Sequence, residues 1–266
     1  PLAMALSTII AKDKYTVDER ESGKTAWVLE NPEATSLFTP YLEGLTAPEG
    51  WSPDTVVSVD IAARGLFPEN ARCYLERVDL AIDHHPSQEF FAQNTCLDAE
   101  RAACGELMYD ILRGITPITR GIALPLYVAV STDCGCFQYA NTSADTFRSA
   151  ARLLEAGADI QRLNKLLFRS VSPARLRLEG MIYSTLRSYR NNAINIAVIT
   201  EEMIRKSGAG ENDMDDIAAL PGRVAGSVVS ATIKERTDGT SKVSLRSTDA
   251  LDSSSICAIF GGGGHK

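Results

Sequence analysis

The chain has 266 residues, 44% of them hydrophobic and 23% charged, which is enough for one large domain or two ordinary ones with a real core. A net charge of −7 disfavours non-specific binding of long nucleic acid, which phosphate neutralisation drives, but allows a local basic pocket for a short oligonucleotide or a mononucleotide. No apolar run approaches the ~20 residues of a membrane span, no basic-then-apolar leader opens the chain, and the six cysteines, with one CxC at Cys134 and Cys136, lack zinc-finger spacing. Reduced thiols, a cytoplasmic setting and no membrane association are therefore expected.

Leu2, Leu6, Ile9 and Ile10 recur at helical spacing, so residues 1–12 read as the tail of a helix. The start at Pro1 and the stop inside FGGGGHK suggest a fragment trimmed at both ends. TAWVLE at 25–30 predicts a short strand. Residues 31–54, punctuated by Asn, Pro and Gly, predict loops with a short helix around 36–42. TVVSVD (55–60), VDLAIDHH (78–85) and LYVAVSTD (126–133) predict three buried strands, each ending on or just past an acid. Between and after them, 98–114 and 142–159 carry helical periodicity, the second capped by Ser143 and closed by Gly157.

Strand alternating with helix argues for an open parallel sheet, whose strand carboxyl ends line the ligand crevice. Asp60, the run Asp83–His84–His85, and Asp133 all fall at such ends and so converge on one rim. Residues 160–190 carry Arg162, Lys165, Arg169, Arg175, Arg177, Arg187 and Arg190 against a single acid, Glu179. That segment reads as a solvated connecting helix, or else as a cationic wall facing a phosphate. Beyond it, 192–200, 222–235 and 241–247 predict strands, and 201–206 and 252–260 predict helices. The expected architecture is α/β: a parallel-sheet N-terminal domain (1–160), a helical linker (161–190) and a second, smaller α/β domain (191–266).

Carboxylates with one or two imidazoles suit a divalent metal, Mn²⁺ first and Mg²⁺, Fe²⁺ or Zn²⁺ as alternatives. A carboxylate-rich cluster can hold two ions ~3.5–4 Å apart, which acidify water and neutralise phosphoryl charge. Adjacent histidines on a regular strand point to opposite faces, but at a strand end the chain can turn, leaving His84 for metal and His85 for substrate. SGKT at 22–25 is no P-loop, because the glycine required five residues before Gly23 is Asp18. Cys104 reads as a packed thiol.

VSVD (57–60), AIDHHPS (81–87), CGELMYDIL (104–112) and VSTDCGCFQYANTSADTF (130–147) resemble the DHH phosphoesterase family. SLRS (244–247) and FGGGGH (260–265) resemble its DHH-associated C-terminal domain. The similarity covers nearly the whole chain and is closest to the nano-RNase branch, the bifunctional oligoribonucleases and 3′-phosphoadenosine-5′-phosphate (pAp) phosphatases. It implies two divalent ions, Mn²⁺ or alternatively Mg²⁺, held by Asp60, His84 and Asp133. His85 would sit near the scissile phosphate as a catalytic residue, paired with Asp83, whose carboxylate orients imidazole.

The resemblance also implies that Arg246, Gly262, Gly263, Gly264 and His265 bind the substrate end, an arginine fork and glycine backbone N–H groups being suited to phosphate. Short oligonucleotides or pAp are then the substrates, and a homodimer is compatible. Two departures stand out. TDCG replaces the usual TDTG, which is tolerable because Asp133 is the ligand. The family's upstream histidine and DxD would lie before Pro1, so this span by itself is expected to be weak or silent in catalysis. The other readings are a cyclic-dinucleotide phosphodiesterase and a catalytically silent nucleotide-binding protein.

Overall fold

Two short apolar runs that end on acids, VSV and LAID, pair side by side as β1 (Val57–Val59) and β2 (Leu80–Asp83). With β3 (Asn94–Leu97) they form a parallel sheet in the order β1-β2-β3, with Val59 opposite Ile82 and Ile82 opposite Cys96. The computed structural model describes residues 47, 49–214, 216–248 and 251–260, in two compact units, Pro1–Arg169 and Ser170–Lys266. The expected helix at 1–12, strand at 25–30 and helix at 36–42 lie outside the described residues, as do SGKT at 22–25 and the glycine loop with His265.

In the first unit the sheet is covered by α1 (Cys104–Arg113), α2 (Arg120–Asp133) and α3 (Ala144–Glu155). One core joins Val59 and Ile82 to Leu107, Met108, Leu126, Val130 and Leu153. A smaller cluster of Phe67, Ala71, Val78, Ala81 and Phe91 completes the unit, with Phe67 and Phe91 edge-to-face at 5.1 Å. The connection from β2 to β3, residues 84–93, contains no helix, and it carries the two histidines.

LYVAVSTD is helix, not strand: it forms the last turns of α2. Leu126 through Ser131 are all buried. A helix enclosed on all sides is apolar all round and loses the 3.6-residue polar rhythm that would identify it. The third strand is instead NTCL, too polar and too short to stand out. α1 and α2 cross closely at Gly105, where an added Cβ would come within 2.8 Å of Ala129 Cβ. α3 begins as expected, with Ser143 accepting the Asp145 and Thr146 N–H groups in a capping box, and Gly157 closes it at φ +97°. A short α4 (Ile160–Asn164) follows, and Tyr127 donates its hydroxyl to Asn164 Oδ1 at 3.0 Å.

The second unit is a four-stranded mixed sheet in the order β4-β5-β6-β7 (Arg187–Tyr189, Ile194–Ile199, Val229–Glu235, Ser241–Ser247). Only the β5–β6 pair is parallel. Three helices, α5 (Pro173–Ser184), α6 (Glu201–Ser207) and α7 (Ser253–Ile259), accompany it. Leu178 and Ile182 of α5 pack on Ala197 and Ile199 of β5 and on Ile217 and Leu220.

Two arginines of the basic segment brace this unit, Arg175 from a buried position and Arg177 from an exposed one. Arg175 is buried and donates to Glu179 and to the Asp213 carbonyl. Arg177 donates twice to the Ser207 carbonyl. Among the described residues no helix is long and apolar enough to cross a membrane.

Two glycine substitutions test this packing with opposite signs. Gly105→Ala forces α1 from α2 and should cost about 1–3 kcal/mol of stability. Gly180→Ala, where an added Cβ meets nothing within 4 Å inside α5, should gain about 0.5–1 kcal/mol. Denaturant midpoints of the two variants check both.

Candidate metal centre

β1 ends one residue before Asp60, which takes a left-handed backbone (φ +62°) while its N–H still donates to the Ile82 carbonyl at 2.9 Å. Aspartate tolerates this conformation better than most residues. β2 ends on Asp83, so His84 and His85 leave the sheet together, with their rings 4.4 Å apart between centroids. Asp133 is the last residue of α2. His84 Nε2 lies 3.4 Å from Asp60 Oδ1 and 3.5 Å from Asp133 Oδ2, and His85 Nδ1 lies 3.6 Å from Asp60 Oδ1. The rim expected from three strands is thus built by two strands and a helix, and it brings Asp60, His84, His85 and Asp133 together.

Asp83 is wholly buried. Its Oδ1 accepts the backbone N–H of His84 (2.7 Å), the backbone N–H of His85 (3.2 Å) and Nδ1–H of His85 (2.8 Å). Its Oδ2 accepts Nε2–H of Gln88 at 2.5 Å. Four donors fill the roughly four acceptor sites of a carboxylate, so Asp83 acts through the histidines it holds. Burial works against its ionisation, but the hydrogen bonds from His85 and His84 outweigh that and hold its pKa below the usual carboxylate value. On the other histidine, Nδ1 faces the Arg101 carbonyl at 3.1 Å, and donation there directs Nε2 at Asp60 and Asp133.

The cluster is under electrostatic pressure. Asp60 Oδ1 is buried and has no hydrogen-bond partner. Burial and the neighbouring Asp60 raise Asp133 to about 7. Burial opposes charge on His84, yet Asp60, the Arg101 carbonyl and Asp133 together raise it to about 9. Hydrogen bonding to Asp83 raises His85. Crowded carboxylates, an orphaned buried oxygen and imidazole nitrogens offering ligand atoms within 4.8 Å of one another at Asp60, His84 and His85 are a donor set that fits a divalent cation.

Sequence reading missed three supports. Gln88 is buried, and its Nε2 donates to the Ile61 carbonyl (2.9 Å) as well as to Asp83. Arg101 contributes a backbone carbonyl, which no side-chain pattern announces. Asn141 Nδ2 donates to the carbonyls of Ala102 (3.0 Å) and Asp133 (3.2 Å). Only Gln88 carried a signal, as an amide three residues beyond the second histidine. Cys104 is a packed thiol that donates to the Ile82 carbonyl at 3.5 Å. All six cysteines are free. Cys134, in the position of the usual threonine, is buried and its sulfur accepts the Phe137 N–H at 3.3 Å. Arg246 is exposed on β7, with Nη2 3.3 Å from Asp216 Oδ1.

An acid–imidazole cluster at the ends of two parallel strands and a helix is a donor set suited to the divalent-metal chemistry of phosphoryl transfer. No family model matches the chain. Its sequence is 33% identical over 251 residues to the bifunctional oligoribonuclease and PAP phosphatase NrnA of Thermus thermophilus, covering 91% of this chain and 73% of that protein. The protein of the same name from Mycoplasma genitalium is 27% identical over 210 residues, covering 77% of this chain and 62% of that one. The fold resembles the crystal structure of an exopolyphosphatase-related protein from Bacteroides fragilis at a TM-score of 0.71 and 23% identity, covering 80% of this chain and 64% of that one. The chain belongs to the NrnA branch of the DHH phosphoesterase family.

The raised pKa values predict a pH dependence for the metal-free protein. A group whose folded pKa exceeds its unfolded value stabilises the fold at low pH, and that stability is lost as pH rises through the folded pKa. For Asp133 the loss runs from the ordinary aspartate value of 3.8 to about 7, and for His84 from the ordinary histidine value of 6.5 to about 9. Chelator-treated protein should therefore lose stability steadily from pH 5 to 9 in urea titrations, and Asp133→Asn should flatten the lower half of that decline.

Proposed function

We propose that Asp60, His84 and Asp133 hold two divalent ions, Mn²⁺ in preference to Mg²⁺, and that the protein hydrolyses short oligoribonucleotides to nucleoside 5′-monophosphates and pAp to AMP. The observation that carries this reading is the convergence of these three side chains around an Asp60 oxygen that is buried without a hydrogen-bond partner. The substrates follow from the names of the relatives. Divalent ions held there would supply Lewis-acid charge to the phosphoryl oxygens and acidify water.

The chain's own residues do the rest. Asp60 and Asp133 would supply carboxylate oxygens from two different elements. His84, held at Nδ1 by the Arg101 carbonyl, presents Nε2 without rotating. His85 gives Nδ1–H to Asp83, which leaves Nε2 to face substrate. Since Asp83 favours the imidazolium, His85 is suited to hold a proton at Nε2 against the leaving oxygen. In the second unit, exposed Arg246 offers a fork suited to a terminal phosphate. The glycines 262–264 and His265 are assigned to the same task by the family resemblance. Six free cysteines fit a reducing compartment such as the cytoplasm.

A panel of dinucleotide, pAp, cyclic dinucleotide and a long single strand, assayed with the full-length protein in Mn²⁺ and in chelator, tests the reading. The dinucleotide and pAp should be cleaved only with metal, and faster than the long strand. Asp60→Asn and Asp133→Asn should each lower kcat/KM on the order of 10³-fold, since several kcal/mol of charge stabilisation at ~1.4 kcal/mol per tenfold is lost. Both variants should also abolish the rise in Tm that Mn²⁺ gives the parent, a readout that remains where turnover is slow. Preferential cleavage of the cyclic dinucleotide would favour the phosphodiesterase alternative, and binding without cleavage the silent one.

A further inference from the structure

The loop from β2 to β3 folds back on itself. The Gln88 N–H donates to the His85 carbonyl at 3.1 Å, and the next residue, Glu89, donates to the Ala62 carbonyl at 2.9 Å. This brings the Gln88 amide, itself buried, between the ends of two strands. One Nε2 hydrogen goes to the carbonyl of Ile61, the residue after Asp60, and the other to Oδ2 of Asp83. The Gln88 carbonyl oxygen accepts the Phe90 N–H at 3.2 Å, which fixes the amide's orientation, because a flipped amide would set N–H against N–H.

Remove this amide and two buried acceptors, the Ile61 carbonyl and Asp83 Oδ2, lose the donor it supplies. Asp83 would be held at Oδ1 alone, the oxygen that accepts both histidine backbone N–H groups and the His85 imidazole, and its carboxylate plane would lose its fixed second anchor. The His85 ring also reaches both strand ends, with Nδ1 2.8 Å from Asp83 Oδ1 and 3.6 Å from Asp60 Oδ1, but Gln88 joins them by two hydrogen bonds.

We propose that Gln88 is the positioning residue of the site: by bridging the Ile61 carbonyl and the Asp83 carboxylate, it sets the spacing between the Asp60 and His84–His85 halves and fixes the ring of His85. This rests on the phosphoesterase reading for its kinetic consequence but on geometry alone for its structural one. Gln88 touches no reacting atom and acts only through Asp83 and His85. Outer-shell partners of this kind typically change metal affinity or activity by about 10- to 100-fold.

The test uses Gln88→Met, which keeps the length and volume of the side chain and removes the amide. Kinetically, it should lower kcat about 10- to 100-fold with KM nearly unchanged. In a His85→Ala background the same substitution should change kcat less than about twofold, because residues that act as a unit are non-additive. Equal fold-losses in the two backgrounds, or an unchanged kcat, would overturn the proposal.

A second readout needs no turnover. The chain has only three histidines, so imidazole resonances of the metal-free protein can be assigned by nitrogen-15 NMR. The parent should show a slowly exchanging Nδ1–H on His85, and Gln88→Met should lose it while retaining a cooperative unfolding transition. Retention of that proton would sink the positioning role even if the protein hydrolysed none of the expected substrates. Its loss in a protein without phosphoesterase activity would uphold the positioning role and sink the functional reading alone.

Discussion

The first unit depends on one buried carboxylate. Asp83 is the last residue of the central strand, and it would be prohibitively costly there as an unpaired charge. It is tolerated because the chain turns as soon as the strand ends and returns two backbone N–H groups, an imidazole and an amide to it. The turn that satisfies Asp83 is also the turn that releases His84 and His85 from opposite faces of a strand. Ionisation of the buried acid and placement of the His85 imidazole are therefore coupled: the His85 ring rotating away would take one of the four donors from a charge buried in the core. That coupling explains why a short, helix-free connection can hold a site that demands fixed geometry.

Most of the scaffold was legible because its signals are local. The strand at Val57–Val59 and the one at Leu80–Asp83 are short apolar runs closed by acids. Ser143 and Gly157 are the two ends of α3 as written in the sequence. The strands of the second unit alternate cleanly, as in Ile194–Ile199. The family resemblance rests on the same motifs.

The failure was at 126–133, and it is instructive. An element buried on every side has no polar face to report its period, so a fully enclosed helix and a fully enclosed strand share one pattern. The assignment of Asp133 to the rim survived because it rested on the element's carboxyl end rather than on its type. What stayed hidden was non-local or backbone-borne: the Arg101 carbonyl behind His84, the Asn141 amide behind Asp133, and the second role of Gln88 across two strands.

Placing Asp133 on a helix rather than a strand changes the electrostatics of the site. Strand dipoles nearly cancel, whereas the aligned peptide dipoles of a helix of 14 residues place the equivalent of roughly half a negative charge at its C-terminal end. Asp133 adds its carboxylate at that negative end and faces Asp60 across His84. The two carboxylates and the helix end together favour a cation between them. The metal-free fold answers in the only ways open to it, with a proton retained on Asp133 to about neutrality and one on His84 well beyond it. Those protons occupy the region where a divalent ion would concentrate charge. A cluster that spread its acids apart or gave Asp60 Oδ1 a hydrogen-bond donor would hold a cation less tightly.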